Sequence, residues 1–135
     1  MSRRIPAVVA IAAMALTACG GNTDTAQRID TVAPERAAEI IDDGPEGLVV
    51  LDVRTPPEFA DGHLADAILV DFNAPDFEER LAELDRSVPY VMYCRSGNRS
   101  AGAREAMRDL GFEEVYEIDG GIVAWVEAGL PLVSG

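Results

Sequence analysis

Seven consecutive residues, Cys94-Arg95-Ser96-Gly97-Asn98-Arg99-Ser100, combine a thiol, two guanidiniums, two hydroxyls and a glycine. They have the composition of a loop that activates a nucleophile. The preceding run, Pro89-Tyr90-Val91-Met92-Tyr93, is almost unbroken in its apolar character and predicts a strand buried on both faces of a parallel sheet. After the loop, Ala103, Ala106, Met107 and Leu110 recur at helical spacing, with Arg104, Glu105, Arg108 and Asp109 on the other face. Gly111 then stands where a helix C-cap belongs, followed by Phe112 for the accompanying apolar contact.

A cysteine between a buried strand and a helix start lies where backbone N–H groups converge and the helix dipole is positive. Such a position holds an anion and favours a thiolate, and Arg95 and Arg99 add positive charge, so Cys94 is the candidate nucleophile. The competing reading is an inert core cysteine, since free cysteines are among the most buried residues.

The loop resembles that of the rhodanese family, sulfurtransferases that carry sulfur as a cysteine persulfide. Two further blocks support the resemblance: Leu51-Asp52-Val53-Arg54-Thr55-Pro56-Pro57-Glu58-Phe59 with Gly62-His63-Leu64 upstream, and Gly120-Gly121-Ile122-Val123-Ala124-Trp125 with Gly129-Leu130-Pro131 downstream. In one place the chain departs from the family pattern, with Ala65-Asp66 where Pro-Gly is usual. The resemblance implies a ping-pong reaction. Cys94 would take a sulfane sulfur from a small anionic donor such as thiosulfate, whose anionic end Arg95 and Arg99 would bind, hold it among the amides of Arg95 to Ser100, and pass it to a thiol or to cyanide. It assigns Asp52, Arg54 and Glu58 mainly to fixing the loop after the first strand, with Arg54 and Glu58 as an expected ion pair. It places the Gly120-Gly121 turn near the site. From the residues themselves, Trp125 reads as core, and His63, following Gly62 at a turn, as hydrogen-bonding that turn and not as a base. No cofactor or metal is implied.

Loop length separates this chemistry from its neighbours. Related phosphatases and arsenate reductases resemble a longer loop with five residues between Cys and Arg, whereas four separate Cys94 from Arg99. By resemblance, the smaller ring of amides suits a persulfide better than a phosphoryl group. A non-catalytic binding module is the third reading, and the presence of Cys94 speaks against it.

Composition bounds the rest. A chain of 135 residues has room for one domain. With 11 basic residues, all arginine, against 24 acidic ones, its formal charge is -13, which argues against a nucleic-acid partner. Residues 1–18 read as a signal segment: Arg3 and Arg4, then an apolar stretch from Ile5 to Leu16, then Leu16-Thr17-Ala18-Cys19, which resembles a bacterial lipobox. Cys19 would be lipidated and would hold the protein to a membrane of the bacterial cell envelope. Cys94 would then have no thiol partner within the chain. Residues 19–32 read as a flexible tether.

The domain is expected over residues 33–135. Pro34 opens a short helix, Leu48 to Leu51 form a strand, and Thr55 and Glu58 have capping-box spacing. Ala67 to Val70 and Val115 to Ile118 read as further strands, with helices at Phe77 to Leu84 and Ile122 to Ala128. Alternating strands and helices predict an α/β fold of rhodanese-like type: a central, mostly parallel sheet of about five strands with helices on both faces. Cys94 falls at the carboxyl edge, where ligands of such sheets bind.

Overall fold

The five-residue run Pro89–Tyr93 is the central strand, and every one of its residues is buried. Its side chains alternate across the sheet, as strand geometry demands. Tyr90, Met92 and the following Cys94 join Leu51, Phe77, Leu81, Ala103, Met107 and Phe112 in one core. Val91 and Tyr93 join Ala37, Ile40, Leu64, Ile118, Ile122 and Trp125 in the other. Two cores on opposite faces explain why the run lacks polar residues.

The computed structural model describes residues 26–135; the expected signal segment and Cys19 lie outside the described residues. In chain order the elements are β1 (Arg28–Val32), α1 (Pro34–Asp43), β2 (Val49–Asp52), α2 (Pro56–Asp61), β3 (Ile68–Leu69), α3 (Phe77–Ala82), β4 (Pro89–Tyr93), α4 (Asn98–Leu110), β5 (Glu114–Ile118) and α5 (Gly121–Glu127). The strands form one sheet in the order β1-β5-β4-β2-β3, and every pairing is parallel. Helices α3 and α4 cover one face; α1 and α5 cover the other.

One boundary needs correction. Arg28–Val32, expected to be part of the tether, is an edge strand paired with β5 from Arg28 opposite Glu114 to Val32 opposite Ile118. Only Ile29 and Val32 of this strand are partly buried, so its apolar signal is slight. The backbone ladder holds it, helped by Arg104, which donates to Thr31 Oγ1 at 2.9 Å and to Glu117 Oε1 at 3.1 Å.

Helix α4 ends as its sequence predicts. Gly111 adopts φ 84°, and the Phe112 N–H reaches back to the Met107 carbonyl at 3.1 Å, satisfying the last turn while Phe112 enters the core. Asp66, in the Ala65-Asp66 departure, takes φ 62°, and the Ala67 N–H closes the turn on the Leu64 carbonyl at 3.1 Å. The turn thus keeps the positive φ that a glycine would supply, at the expense of strain in an L residue.

Candidate active site

Strand β4 delivers Cys94 to the carboxyl edge of the sheet with 1% of its surface exposed. The chain then reverses before α4. Gly97 makes this possible with φ 113°, and its N–H returns to Cys94 Sγ at 3.0 Å. The Ser100 hydroxyl, fully buried in the first turn of α4, lies 3.3 Å from the sulfur and 3.3 Å from the Gly97 carbonyl. Burial pushes the Cys94 thiol up. The Ser100 hydroxyl and the N–H groups of Ser100, Gly97 and Ser96 outweigh burial, so the thiol sits below its ordinary range. Donors aimed at a buried sulfur, at the start of a 13-residue helix, favour the thiolate.

The glycine pair fixes the other side of the loop. Gly121 has φ 62°, and a Cβ there would stand 2.5 Å from the carbonyl oxygens of both Cys94 and Arg95. Without one, α5 comes close enough for Ile122 N–H to donate to Cys94 O at 2.9 Å and Val123 N–H to Arg95 O at 3.1 Å. In a trans peptide the N–H points opposite to its carbonyl. Drawing the Arg95 carbonyl outward therefore turns the Ser96 N–H inward, toward the sulfur.

The charged residues pair differently from expectation. Arg54 and Glu58 do not bond to each other. Arg54 is buried and donates to both oxygens of Asp52, at 2.6 Å for the shortest contact, and to the Gly62 carbonyl at 2.6 Å. Glu58 instead accepts two parallel bonds from Arg99, at 2.8 and 2.9 Å. The reason is reach: Arg54 is consumed by a carboxylate two residues away, whereas Arg99 projects from α4 across the mouth of the site. Arg99 and the hydroxyl of Thr55 hold the Glu58 carboxyl down at about 2. The expected capping box is absent as well, because the Thr55 hydroxyl donates to the Glu58 side chain at 3.0 Å and no side chain caps α2.

His63 Nδ1 lies 2.8 Å from the Phe59 carbonyl and its ring stacks on Phe59 at 3.8 Å, while its backbone pairs with Val133. Trp125 is buried and donates to the Pro131 carbonyl at 2.9 Å. Both residues brace the site from outside it. Of the loop residues, Arg95, Ser96 and Asn98 are exposed. Arg95 makes no ion pair among the described residues.

Above the loop lies an open cavity of about 510 Å³, lined by Arg54, Thr55, Glu58, Asp61, Asn73, Arg95, Arg99, Ile122 and Val123. A second, more apolar groove continues from it over Ile122, Val123, Val126 and Leu132. The sequence reading gave no site role to Asp61, Asn73, Ile122 or Val123. Ile122 and Val123 carried a signal, since they directly follow the glycine pair; nothing in the sequence marked Asn73. The arrangement can hold a thiolate, an anion or sulfur bound to it, and a small molecule at the mouth.

A model of the rhodanese-like domain family matches residues 33–128. A sulfurtransferase from Allochromatium vinosum is 36% identical over 89 residues, covering 66% of this chain and 81% of that protein. A tRNA uridine(34) hydroxylase from Chlamydia trachomatis is 35% identical over 126 residues, covering 89% of this chain but only 37% of that protein. Among solved structures, a rhodanese-related protein from Thermoplasma volcanium superposes with a TM-score of 0.63 at 33% identity, covering 79% of this chain and 97% of that one. A family match over residues 33–128, together with the same fold in a relative one-third identical, means that the chain belongs to the rhodanese-like domain family.

Proposed function

We propose that the protein is a sulfurtransferase that carries a sulfane sulfur on Cys94. The observation that carries this reading is the convergence of the Gly97 N–H and the Ser100 hydroxyl on a buried sulfur at a helix start. The sulfurtransferase name of the Allochromatium vinosum relative supports it. In the first half-reaction the Cys94 thiolate attacks the outer sulfur of a donor. With thiosulfate, the new bond is Cys94 Sγ–S, the donor's sulfur–sulfur bond breaks, and sulfite leaves with the electron pair. The outer sulfur of the persulfide is then the anion that the loop amides hold. In the second half-reaction an acceptor thiolate, or cyanide, attacks that outer sulfur and expels the Cys94 thiolate. Because the thiolate is favoured from the start, no separate general base is needed.

Arg95, exposed on the loop, meets the donor's anionic end. Arg95→Ala should raise the donor KM by about ten- to a hundredfold, the value of one charge-assisted contact. The decisive experiment is intact-mass analysis after incubation with thiosulfate at saturating concentration. The protein should gain one sulfur atom, lose it to cyanide or a thiol, and gain nothing as Cys94→Ser. Turnover of an aryl phosphate without persulfide would instead assign it to the phosphatases. Export and anchoring through Cys19 belong to the same proposal: labelled fatty acid should enter the wild type and not Cys19→Ser, and its failure to enter the wild type would remove the anchor.

A further inference from the structure

A mouth built for dianions would leave its cations free, and this one commits most of them. Arg54 is locked to Asp52 and Gly62, and Arg99 to Glu58. Arg95 alone of the three guanidiniums at the mouth makes no ion pair among the described residues. Asp61, an exposed carboxylate, lines the same cavity and also makes no ion pair among the described residues. The cavity is thus lined by three guanidiniums, two of them already held by carboxylates, and by two carboxylates, Glu58 and Asp61, with Cys94 buried below the loop. The chain's formal charge of -13 has the sign of those carboxylates.

We infer that Glu58 and Asp61 filter the mouth against dianions, and that the donor used by this site bears at most one negative charge at its reacting end, as an organic persulfide or a thiosulfonate does. The inference rests on the sulfurtransferase reading for its chemistry. Glu58 acts through Arg99, whose charge it neutralises; Asp61 acts directly on the approaching anion. With a thiosulfonate the step balances as it does for thiosulfate: the Cys94 thiolate takes the terminal sulfur, the sulfur–sulfur bond breaks, and a sulfinate monoanion leaves with the electron pair. A carboxylate ~6 Å from an incoming charge in a water-filled mouth weakens binding about threefold per unit charge, and so about tenfold for a dianion.

The test compares thiosulfate with methanethiosulfonate, which share the sulfonyl–sulfur bond and differ by one charge. Cyanide is the acceptor and ionic strength is low. Intrinsic reactivities differ, so the reading is the change caused by Glu58→Gln and, separately, Asp61→Asn. Each variant should lower the thiosulfate KM about tenfold and the methanethiosulfonate KM about threefold, with kcat little changed and the gain shrinking as salt is added. Asp61 is exposed and makes no ion pair among the described residues, so its variant keeps the test decisive if Glu58→Gln fails to fold. An unchanged KM ratio, or poorer use of thiosulfate by Asp61→Asn, overturns the filter. If neither donor puts sulfur on wild-type Cys94, the sulfurtransferase reading has failed. The filter is then judged by protection of Cys94 from iodoacetamide: sulfate should protect Asp61→Asn at about tenfold lower concentration than wild type, and methanesulfonate at about threefold lower. Equal protection in both proteins refutes it.

Discussion

Replacing Gly121 with alanine tests whether the second glycine of the pair builds the thiolate site. The new Cβ would lie 2.5 Å from two carbonyl oxygens, and φ 62° is unfavourable for any L residue. Relieving a contact that is roughly 1 Å too short means moving α5 off the loop, since both oxygens are backbone. The bonds from Ile122 to Cys94 O and from Val123 to Arg95 O would be lost at about 1 kcal/mol each, and left-handed strain adds about 1 kcal/mol. Gly111→Ala is the matched control: it has φ 84° but open space around it, so only the strain of about 1 kcal/mol applies. In urea titrations Gly121→Ala should therefore lose about 3 kcal/mol and the control about 1. The second readout is the titration of the thiol, followed by thiolate ultraviolet absorbance. It should move up in Gly121→Ala, because the Ser96 N–H no longer faces the sulfur, and stay in place in Gly111→Ala. Equal stability losses with an unmoved thiol would refute the reasoning.

Ser100→Ala removes the buried hydroxyl 3.3 Å from Cys94 Sγ, and should raise the thiol's titration midpoint by about one to two pH units with a matching loss of sulfur loading at neutral pH. Asp52→Ala leaves the buried Arg54 guanidinium without its carboxylate and should cost about 3 to 5 kcal/mol in a denaturant melt. Glu58 is held down at about 2 in the fold against ~4.3 when unfolded, so its contribution to stability is complete above the higher value and lost as pH falls toward the lower. Glu58→Gln should therefore flatten the stability profile over that acid range. Asp66→Gly, which relieves φ 62°, should stabilise the protein by up to about 1 kcal/mol in the same melts.

Much of the fold was legible because the signals that mark it are local. The run from Pro89 to Tyr93, the stripe on α4 and the Gly111 stop are each contained within a few residues, and each emerged where the pattern placed it. Strand β1 was not legible: Arg28, Asp30 and Thr31 are polar and exposed, and only the neighbouring β5 tells them to extend. The partner of Glu58 could not be read either. Arg54 is four residues away and Arg99 is 41, and the choice depends on Asp52 having already captured Arg54. The role of Gly121 had the same difficulty, since what excludes a side chain there is the backbone of Cys94 and Arg95, brought against it by the fold.

The direction of β1 has a mechanical consequence. Because β1 runs parallel to β5 and begins opposite Glu114, the chain preceding Arg28 arrives at the end of the sheet opposite Cys94, a strand length of about 17 Å away. There the Gln27 amide donates to the carbonyls of Arg108 and Phe112, moored to the far end of the helix whose start holds the thiolate. A pull along the leading segment would load the β1–β5 ladder and leave the sulfur's loop slack.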